Sequence, residues 1–292
     1  MARYVALICL LCWPLTLLAA APMRIVSLTP HLTELLFAIG AGDRIVATDD
    51  ASDFPPEVTT RPHVANYRSI NLEALLAQKP DLVVAWHSAQ SRMLAPIEQL
   101  GIPVFYSEPT DFASLATEIR ALGKRLELEQ AANSQADAYL ARLAELKQRY
   151  GQPKHIKVFY QLWHPPLTSV SGAAWPAQAI ELCGGENLMA KAKTPYPQVS
   201  LEQVIKANPA LILAGSQDPG ALRHWQQWPM IDAVKHQRLQ LINSDELHRF
   251  TPRALNAVQQ VCDAIEQANH SSPHETTPQP FQNGPNFARE YE

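Results

Sequence analysis

The sequence predicts an α/β protein of two lobes, each with a mainly parallel central sheet flanked by helices, joined by one long rigid α-helix. Strand-like segments alternate with helical ones in both halves of the 292-residue chain, a pattern typical of parallel sheets. Between the halves, the stretch Glu127 to Tyr150 has apolar residues at alternating steps of four and three and contains no Pro or Gly. At ~1.5 Å per residue such a helix is roughly 36 Å long, more than the width of a small domain.

An internal repeat supports two similar lobes. Residues Asn71 to Trp86 read NLEALLAQKPDLVVAW, and residues Ser200 to Gly215 read SLEQVIKANPALILAG. Aligned without gaps, each segment has a polar N-cap, a short helix, a Pro that ends it and an apolar strand. Since α/β units resemble one another for physical reasons alone, the repeat favours two similar lobes without requiring them.

The elements of the first half follow from short apolar runs between caps and breakers. Thr29 is expected to cap the first helix, with Pro30 at its first position, and Asn71 to cap the second. The turn-rich segment 49–58 is expected to be a loop. We predict strands at 24–28, 44–48, 81–86 and 103–107, and helices at 30–40, 72–78, 88–100 and 112–125.

The second half restarts the alternation. Ser200 is expected to cap a helix that Pro209 ends, and Thr251 with Pro252 repeats the start of the first helix. We predict strands at 156–163, 210–214 and 238–242, and helices at 175–183, 201–207, 222–228 and 252–268.

The N-terminus predicts a secretory signal peptide over residues 1–21. Arg3 precedes an apolar core, and small residues follow it, so cleavage is expected after Ala20 or Ala21. An uncleaved membrane anchor is an alternative, although the apolar run is short for a span. A lipid-modified Cys12 is another, disfavoured by the large residue that precedes it.

The rest of the chain divides at the long helix. We predict an N-terminal lobe over residues 22–126, the helix over 127–150 and a C-terminal lobe over 151–270. The tail 271–292 is rich in Pro, Asn, Gln and Ser and is expected to be disordered.

Composition excludes some partners. The chain is 47% hydrophobic and 18% charged, which is ordinary for a globular protein. Its net charge of -4 and isoelectric point near 6.2 argue against a nucleic-acid partner.

The cysteine content predicts one disulfide. Cys9 and Cys12 leave with the signal peptide, so only Cys183 and Cys262 remain in an exported chain. Two free buried thiols are the alternative.

Aromatic residues follow several predicted strands, where open α/β sheets bind their ligands. Trp86 and Trp163 end strands, and Tyr67, Trp175 and Tyr196 lie between elements. Such a set suits a large, flat, partly apolar ligand, with Arg249 available for an amide or phosphate. Ordinary core packing is the alternative for each aromatic residue taken alone.

The histidines allow a metal or haem site but do not favour one. His31, His87, His164 and His248 lie near predicted strand ends and could face one cleft. No pair of them has helical i, i+4 spacing and no free Cys remains, so we predict no metal site.

Catalytic motifs are absent from the sequence. It contains no G-x-S-x-G elbow, phosphate-binding glycine loop or H-E-x-x-H motif. Ser169, Asp245 and His248 could form a triad only if the fold brought them together. We therefore predict a protein that is not an enzyme.

Glu73 and Glu202 occupy matching positions near the start of the two repeated helices. Each stabilises its helix dipole by roughly 0.3–1 kcal/mol, which is a sufficient reason for either one alone. As a matched, exposed pair on two lobes they could also form a two-point docking face.

The chain resembles the periplasmic substrate-binding proteins of ABC importers, in the class whose lobes are joined by one long helix. Within this family it is similar to the cobalamin-binding members of Gram-negative bacteria. The resemblance spans nearly all of residues 24–268. The stretches that carry it are RIVSLTPHLTELLFAIG (24–40), SDFPPEV (52–58), INLEALLAQKPDLVVAW (70–86), ELCGGENL (181–188), PYPQVSLEQVI (195–205) and SDELHRFTPR (244–253).

The resemblance implies a cobalamin pocket between the lobes. It implies that Glu73 and Glu202 dock on basic pockets of the permease, and that Cys183 pairs with Cys262. The ligand contacts that it implies, together with our own candidates, are Ala51, Tyr67, Trp86, Trp163, Tyr196, Asp245, Glu246, Leu247, His248 and Arg249.

The chain departs from the family pattern inside this pocket. Ala51 stands where an aromatic contact is expected, and tyrosine replaces tryptophan at Tyr67 and Tyr196. A His-Pro-Pro sequence follows Trp163 at another pocket edge. We expect Trp163 or Trp175 to compensate for the smaller wall.

The function that the resemblance implies is a periplasmic carrier. It would capture cobalamin or a related corrinoid and deliver it to an inner-membrane ABC permease dimer and, through it, to the ATPase. Cobalamin would be its cargo rather than a cofactor, and the protein would be a monomer that opens only slightly. The alternative is a haem, siderophore or metal-ion binding protein of the same class.

Overall fold

Each lobe is built on one parallel sheet. A computed structural model describes residues 23–270, so the predicted signal peptide and disordered tail lie outside the described residues. The first sheet has the order β3-β2-β1-β4-β5 and the second the order β7-β6-β8-β9, and all pairings are parallel. The strands are β1 (Ile25–Ser27), β2 (Ile45–Asp49), β3 (His63–Ala65), β4 (Leu82–Trp86), β5 (Val104–Ser107), β6 (Lys157–Gln161), β7 (Glu186–Asn187), β8 (Leu211–Gly215) and β9 (Leu239–Ile242).

Helices cover both sheets, and the chain passes from the first sheet to the second through α4 and α5. Short 3-10 helices lie at Gly42–Arg44, Pro56–Thr60 and Arg223–Gln227. None of the helices between residues 23 and 270 is both long and apolar enough to cross a membrane. The α-helices are α1 (Pro30–Ala38), α2 (Leu72–Ala77), α3 (His87–Gln99), α4 (Ser114–Arg125), α5 (Glu129–Tyr150), α6 (Trp175–Leu182), α7 (Leu201–Ala207), α8 (Asp232–Lys235), α9 (Ser244–Leu247) and α10 (Ala254–His270).

The structure corrects several short elements. The sequence does not predict β3, β7, α8 or α9, because each has four residues or fewer and, unlike the equally short β1, β5 and β9, lies outside a clear apolar run. The segment predicted as a helix at 222–228 is a 3-10 helix instead. Thr29 is the N-cap residue of α1 and Pro30 its first residue, as predicted, but the Thr29 hydroxyl makes no capping hydrogen bond. Asn71 and Ser200 do cap their helices, accepting from the backbone N–H of Ala74 and Gln203.

The long helix α5 begins at Glu129 rather than Glu127, because Glu127 has a φ of 57° in the left-handed region. Its 22 residues give a length of about 33 Å. It packs along α4 and contacts α6 and α10, so it is part of both lobes and not an isolated connecting helix. Gly123 allows the close approach of α4, since a Cβ there would overlap the Cβ of Ala132.

One hydrophobic core runs through both lobes. It includes Ile25 of β1, Ala132 and Tyr139 of α5, and Ile265 of α10. Side chains on the other face of each sheet form separate clusters, one with Val26 and one with Phe159, as the alternation of strand side chains requires. Because α5 contributes to the shared core, the relative position of the lobes is set by packing.

The repeated segments occupy equivalent places. The first forms α2 and β4, and β4 lies between β1 and β5. The second forms α7 and β8, and β8 lies between β6 and β9. Glu73 and Glu202 are exposed in the first turns of α2 and α7, at matching positions of the two lobes.

A disulfide joins Cys183, at the end of α6, to Cys262 on α10, with 4.8 Å between the Cα atoms. The predicted pairing is confirmed, and the alternative of two free thiols is wrong. It closes a loop of 79 residues, for which chain entropy alone gives about 4 kcal/mol.

Replacing Cys183 and Cys262 together by alanine is expected to lower the free energy of unfolding by about 2–4 kcal/mol, because the unfolded chain regains the freedom of that loop. Urea unfolding measures the change. Reductant should lower the midpoint of the wild-type protein and leave that of the double variant unchanged. Equal midpoints for both proteins without reductant would contradict the prediction.

Candidate ligand-binding cleft

A cavity of about 380 Å³ lies between the two lobes. The carboxyl ends of parallel strands gather at one edge of a sheet, so the loops that leave β1, β2, β3 and β4 meet there. From the N-terminal lobe, the cavity is lined by residues 28–31, 49–51, 66–67 and, on β4 and α3, by Trp86, Ala89, Gln90 and Met93. From the C-terminal lobe it is lined by residues 248–250, which follow α9.

Aromatic rings from both lobes form the deep wall of the cavity. Phe250 packs edge-on against Trp86, with 5.6 Å between ring centroids, and against His31, at 5.5 Å. Gln90 fixes this wall, since its amide oxygen accepts from the Trp86 backbone N–H and its amide nitrogen donates to the Leu28 carbonyl. These two hydrogen bonds therefore tie α3 to the end of β4 and to the segment after β1, and so help to position Trp86 in the wall.

Two polar side chains of the cavity lack hydrogen bonds. The Thr29 hydroxyl and His31 Nε2 are buried, with no hydrogen-bond partner among residues 23–270. Burial lowers the pKa of His31 to about 3, so the ring is neutral at neutral pH. Asp49 is also buried, and burial raises its pKa against the opposing effect of hydrogen bonds from Ser52 and the Ala51 backbone.

An ion cluster joins the lobes beside the cavity. Glu34 on α1 accepts from Arg249 at 3.0 Å and from Arg253 at 2.7 and 2.8 Å. Arg249 also donates to Asp53 at 2.6 Å, and this hydrogen bond lowers the pKa of Asp53. Burial alone would lower the pKa of Arg249, but its hydrogen bonds to Asp53 and Glu34 outweigh burial and raise it. The guanidinium of Arg253 stacks on Phe54 at 3.6 Å.

His248 is held in place by its own lobe. Its Nε2 lies 2.8 Å from the hydroxyl of Tyr160. Burial lowers the pKa of His248 to about 4, with only partial opposition from Asp245. Gly215 makes room for this pair, because a Cβ there would overlap both Tyr160 and His248.

The cavity brings together about half of the predicted ligand contacts. Ala51, Tyr67, Trp86, His248 and Arg249 line it, whereas Trp163, Tyr196, Asp245, Glu246 and Leu247 do not. Trp163 and Tyr196 are exposed at 64% and 51% on loops of the C-terminal lobe. Leu247 is fully buried in the core, Glu246 accepts from Asn256, and Asp245 accepts from Gln217.

One expectation about an individual side chain is wrong. Trp175 cannot compensate for the smaller aromatic wall, because it is 5% exposed and packs against Phe112 in the core. Arg249 lines the cavity and donates from Nη1 to Glu34 and Asp53, so its availability for an amide or phosphate stays a prediction.

The structure does not bring together the four candidate histidines, nor the three residues of the conceivable catalytic triad. Of the four histidines, only His31 and His248 line the cavity. Within residues 23–270, no group of three or more His, Cys, Asp or Glu side chains is placed to hold a metal ion. The conceivable triad does not form, since the Ser169 hydroxyl donates to the Tyr160 carbonyl and His248 Nε2 pairs with the Tyr160 hydroxyl.

Sequence reasoning missed Phe250, Glu34 and Arg253, and did not assign Thr29 or His31 to the ligand wall. Phe250 lies one residue beyond the predicted loop segment, so a wider window would have included it. Glu34 carried the one available signal, a charged residue in the otherwise apolar segment TELLFAIG, which indicates a buried charge with a partner.

Two parallel α/β lobes around an aromatic-walled cleft define a two-lobed ligand-binding protein. The chain belongs to the periplasmic binding protein family, whose model matches residues 25–246. This membership confirms the resemblance noted from the sequence stretches.

Relatives and solved structures agree with this assignment. A vitamin B12-binding protein of Vibrio campbellii is 37% identical over 245 residues, which cover 83% of this chain and 89% of that protein. The crystal structure of the periplasmic vitamin B12 binding protein BtuF of Vibrio cholerae matches with a TM-score of 0.75 and 38% identity, covering 84% of this chain and 97% of that one. The predicted two-lobed α/β fold is thereby confirmed.

The class also contains haem binders. The periplasmic heme-binding protein RhuT from Roseiflexus sp. RS-1 matches with a TM-score of 0.73 and 25% identity, covering 85% of this chain and all of that one. The fold alone therefore does not distinguish the two kinds of ligand.

Proposed function

We propose that this protein captures cobalamin or a related corrinoid between its lobes and delivers it to the permease of an ABC importer. The observation that carries the proposal is the cavity, which has aromatic walls from both lobes and lies at the carboxyl ends of the strands. A flat, partly apolar macrocycle suits such walls. Vitamin B12-binding relatives that are more than a third identical support the choice of corrinoid.

We infer that the ligand also reaches beyond the enclosed cavity. Tyr67 is 82% exposed, and Trp163 and Tyr196 are more than half exposed. These aromatic side chains lie on loops, where open α/β sheets bind their ligands, and their rings suit a partly apolar ligand. We assign Tyr67 to the N-terminal rim of the cleft and Trp163 and Tyr196 to the C-terminal rim.

The transport role follows from the family. We assign the protein to the periplasm, reached by cleavage of residues 1–21, and we assign it no catalytic step. Its partners would be the permease dimer and the attached ATPase, with Glu73 and Glu202 as the docking points. We expect a monomer.

Haem, siderophore or metal binding is the second candidate, supported by the likeness to RhuT. It requires an axial or metal-ligating side chain in the cleft. His248 Nε2 already pairs with the Tyr160 hydroxyl, so His31, whose Nε2 has no partner among the described residues, is the lining histidine that an iron atom would have to reach. The His31 ring is 4% exposed and lies between Trp86 and Phe250, so a single ligand arm reaches it more readily than the metal at the centre of a macrocycle.

One titration tests the proposal. The purified protein is titrated by calorimetry and absorbance with cyanocobalamin, haemin and zinc. We expect saturable binding of cyanocobalamin with one site, and no comparable binding of haemin or zinc. An unchanged cobalamin spectrum on binding would also exclude a histidine from this protein as the axial ligand. Saturable binding of haemin or zinc, with none of cyanocobalamin, would contradict the proposal.

A further inference from the structure

The floor of the cavity contains two polar groups that no side chain or backbone group satisfies. Thr29 is 6% exposed and His31 is 4% exposed, and both line the cavity. Neither the Thr29 hydroxyl nor His31 Nε2 has a partner among the described residues. A buried polar group without a hydrogen bond is destabilising, so a ligand group that satisfies it binds favourably. By contrast, the neighbouring Gln90 bonds through both ends of its amide.

These two groups have complementary chemistry. A hydroxyl both donates and accepts, whereas the single Nε2 of a neutral imidazole does one or the other, according to its tautomer. A primary carboxamide also offers both, through its N–H₂ and its carbonyl oxygen, whereas a carboxylate only accepts. We propose that Thr29 and His31 form a specificity-determining pair that binds an uncharged carboxamide arm of the ligand and discriminates against a carboxylate. The inference rests on the proposed function, because a corrinoid is the amide-bearing ligand considered.

The charges around the cavity support this discrimination. Asp49 and Asp50 line the same cavity, so a ligand carboxylate would approach two carboxyl groups. Arg249 is the one lysine or arginine among the lining residues, and Glu34 and Asp53 already accept its hydrogen bonds.

Paired substitutions test the two contacts. Thr29→Val and His31→Phe should each weaken cyanocobalamin binding roughly 3- to 10-fold, the effect of one neutral hydrogen bond. Thr29→Ser and His31→Gln keep a donor and an acceptor and should restore a Kd close to that of the wild-type protein. Thr48→Val is the matched control, because the Thr48 hydroxyl is also buried and without a partner but does not line the cavity.

Two results for these variants would overturn the proposal. If Thr29→Val and His31→Phe bind as tightly as Thr48→Val, the pair does not contact the ligand and the proposal is overturned. Weakening that the serine and glutamine variants do not rescue also overturns it, because a merely structural role would give that result. Thermal unfolding of each variant checks that it is folded at the assay temperature.

Modified ligands test the discrimination on the wild-type protein, without any risk of misfolding. Cyanocobalamins with a single corrin carboxamide hydrolysed to the acid are titrated isomer by isomer, together with the methylamide of each acid. At least one acid should bind roughly tenfold or more weakly, and its methylamide should recover the affinity. Equal affinity for every acid overturns the proposal. Absence of cyanocobalamin binding by the wild-type protein contradicts the proposed function instead.

Discussion

Replacing Glu34 by glutamine is expected to lower the free energy of unfolding by about 3–5 kcal/mol, the effect of breaking a buried ion pair. The Glu34 side chain is only 4% exposed and receives Arg249 and Arg253 from the other lobe. Removing its charge leaves two partly buried guanidinium groups with fewer carboxylates. Urea unfolding measures the change in free energy.

The exposed pair between Arg120 and Asp137 is the matched control for this prediction. It has a donor to acceptor distance of 2.6 Å, but its side chains are 38% and 72% exposed. Asp137→Asn should therefore cost less than about 1 kcal/mol. If Glu34→Gln costs no more than Asp137→Asn, the inter-lobe cluster does not stabilise the fold as we infer.

Reversing the charge of both Glu73 and Glu202 is expected to abolish ligand uptake while leaving the cobalamin Kd unchanged. Both side chains are exposed, occupy matching first turns on the two lobes, and do not line the cavity. Two lysines would meet the basic permease pockets that the family resemblance implies, and like charges in an interface are strongly unfavourable. Uptake into proteoliposomes that contain the cognate transporter measures the first effect, and calorimetry measures the second.

Glu129→Lys is the control for the helix dipole. Glu129 is also exposed in the first turn of a helix, α5, but has no counterpart on the other lobe. Its reversal should cost roughly 0.3–1 kcal/mol in stability without loss of uptake. If the Glu73 and Glu202 double variant transports as well as Glu129→Lys does, the glutamates serve their helices only.

Much of the fold could be predicted because it depends on local patterns. The caps Asn71 and Ser200, the strand that ends at Trp86 and the long periodic run of α5 are signals carried by neighbouring residues. Short elements such as β7 and α9 escaped, because they form through contacts with the rest of the lobe and contain too few residues to show a period.

The candidate site could be predicted only in part. Trp86, at the end of a predicted strand, was a good candidate and lines the cavity, as do Tyr67 and His248 from loops. The sequence does not show which of these side chains are exposed to the cavity, nor which of them pair with distant charged residues. Trp175 has the same chemistry as Trp86 but packs in the core, and Arg249 is occupied by carboxylates that lie about two hundred residues away in the chain.

The sequence by itself determined the α/β class, the paired lobes, the long helix between them and the family, because each of these depends on residue order within short windows. Only the tertiary structure decided which side chains meet. It joined His31 and Trp86 to Phe250, and it placed Glu34 against Arg249 and Arg253. These contacts form across the whole chain, so they depend on how helices and sheets pack into one shared core, and local sequence carries no record of that packing.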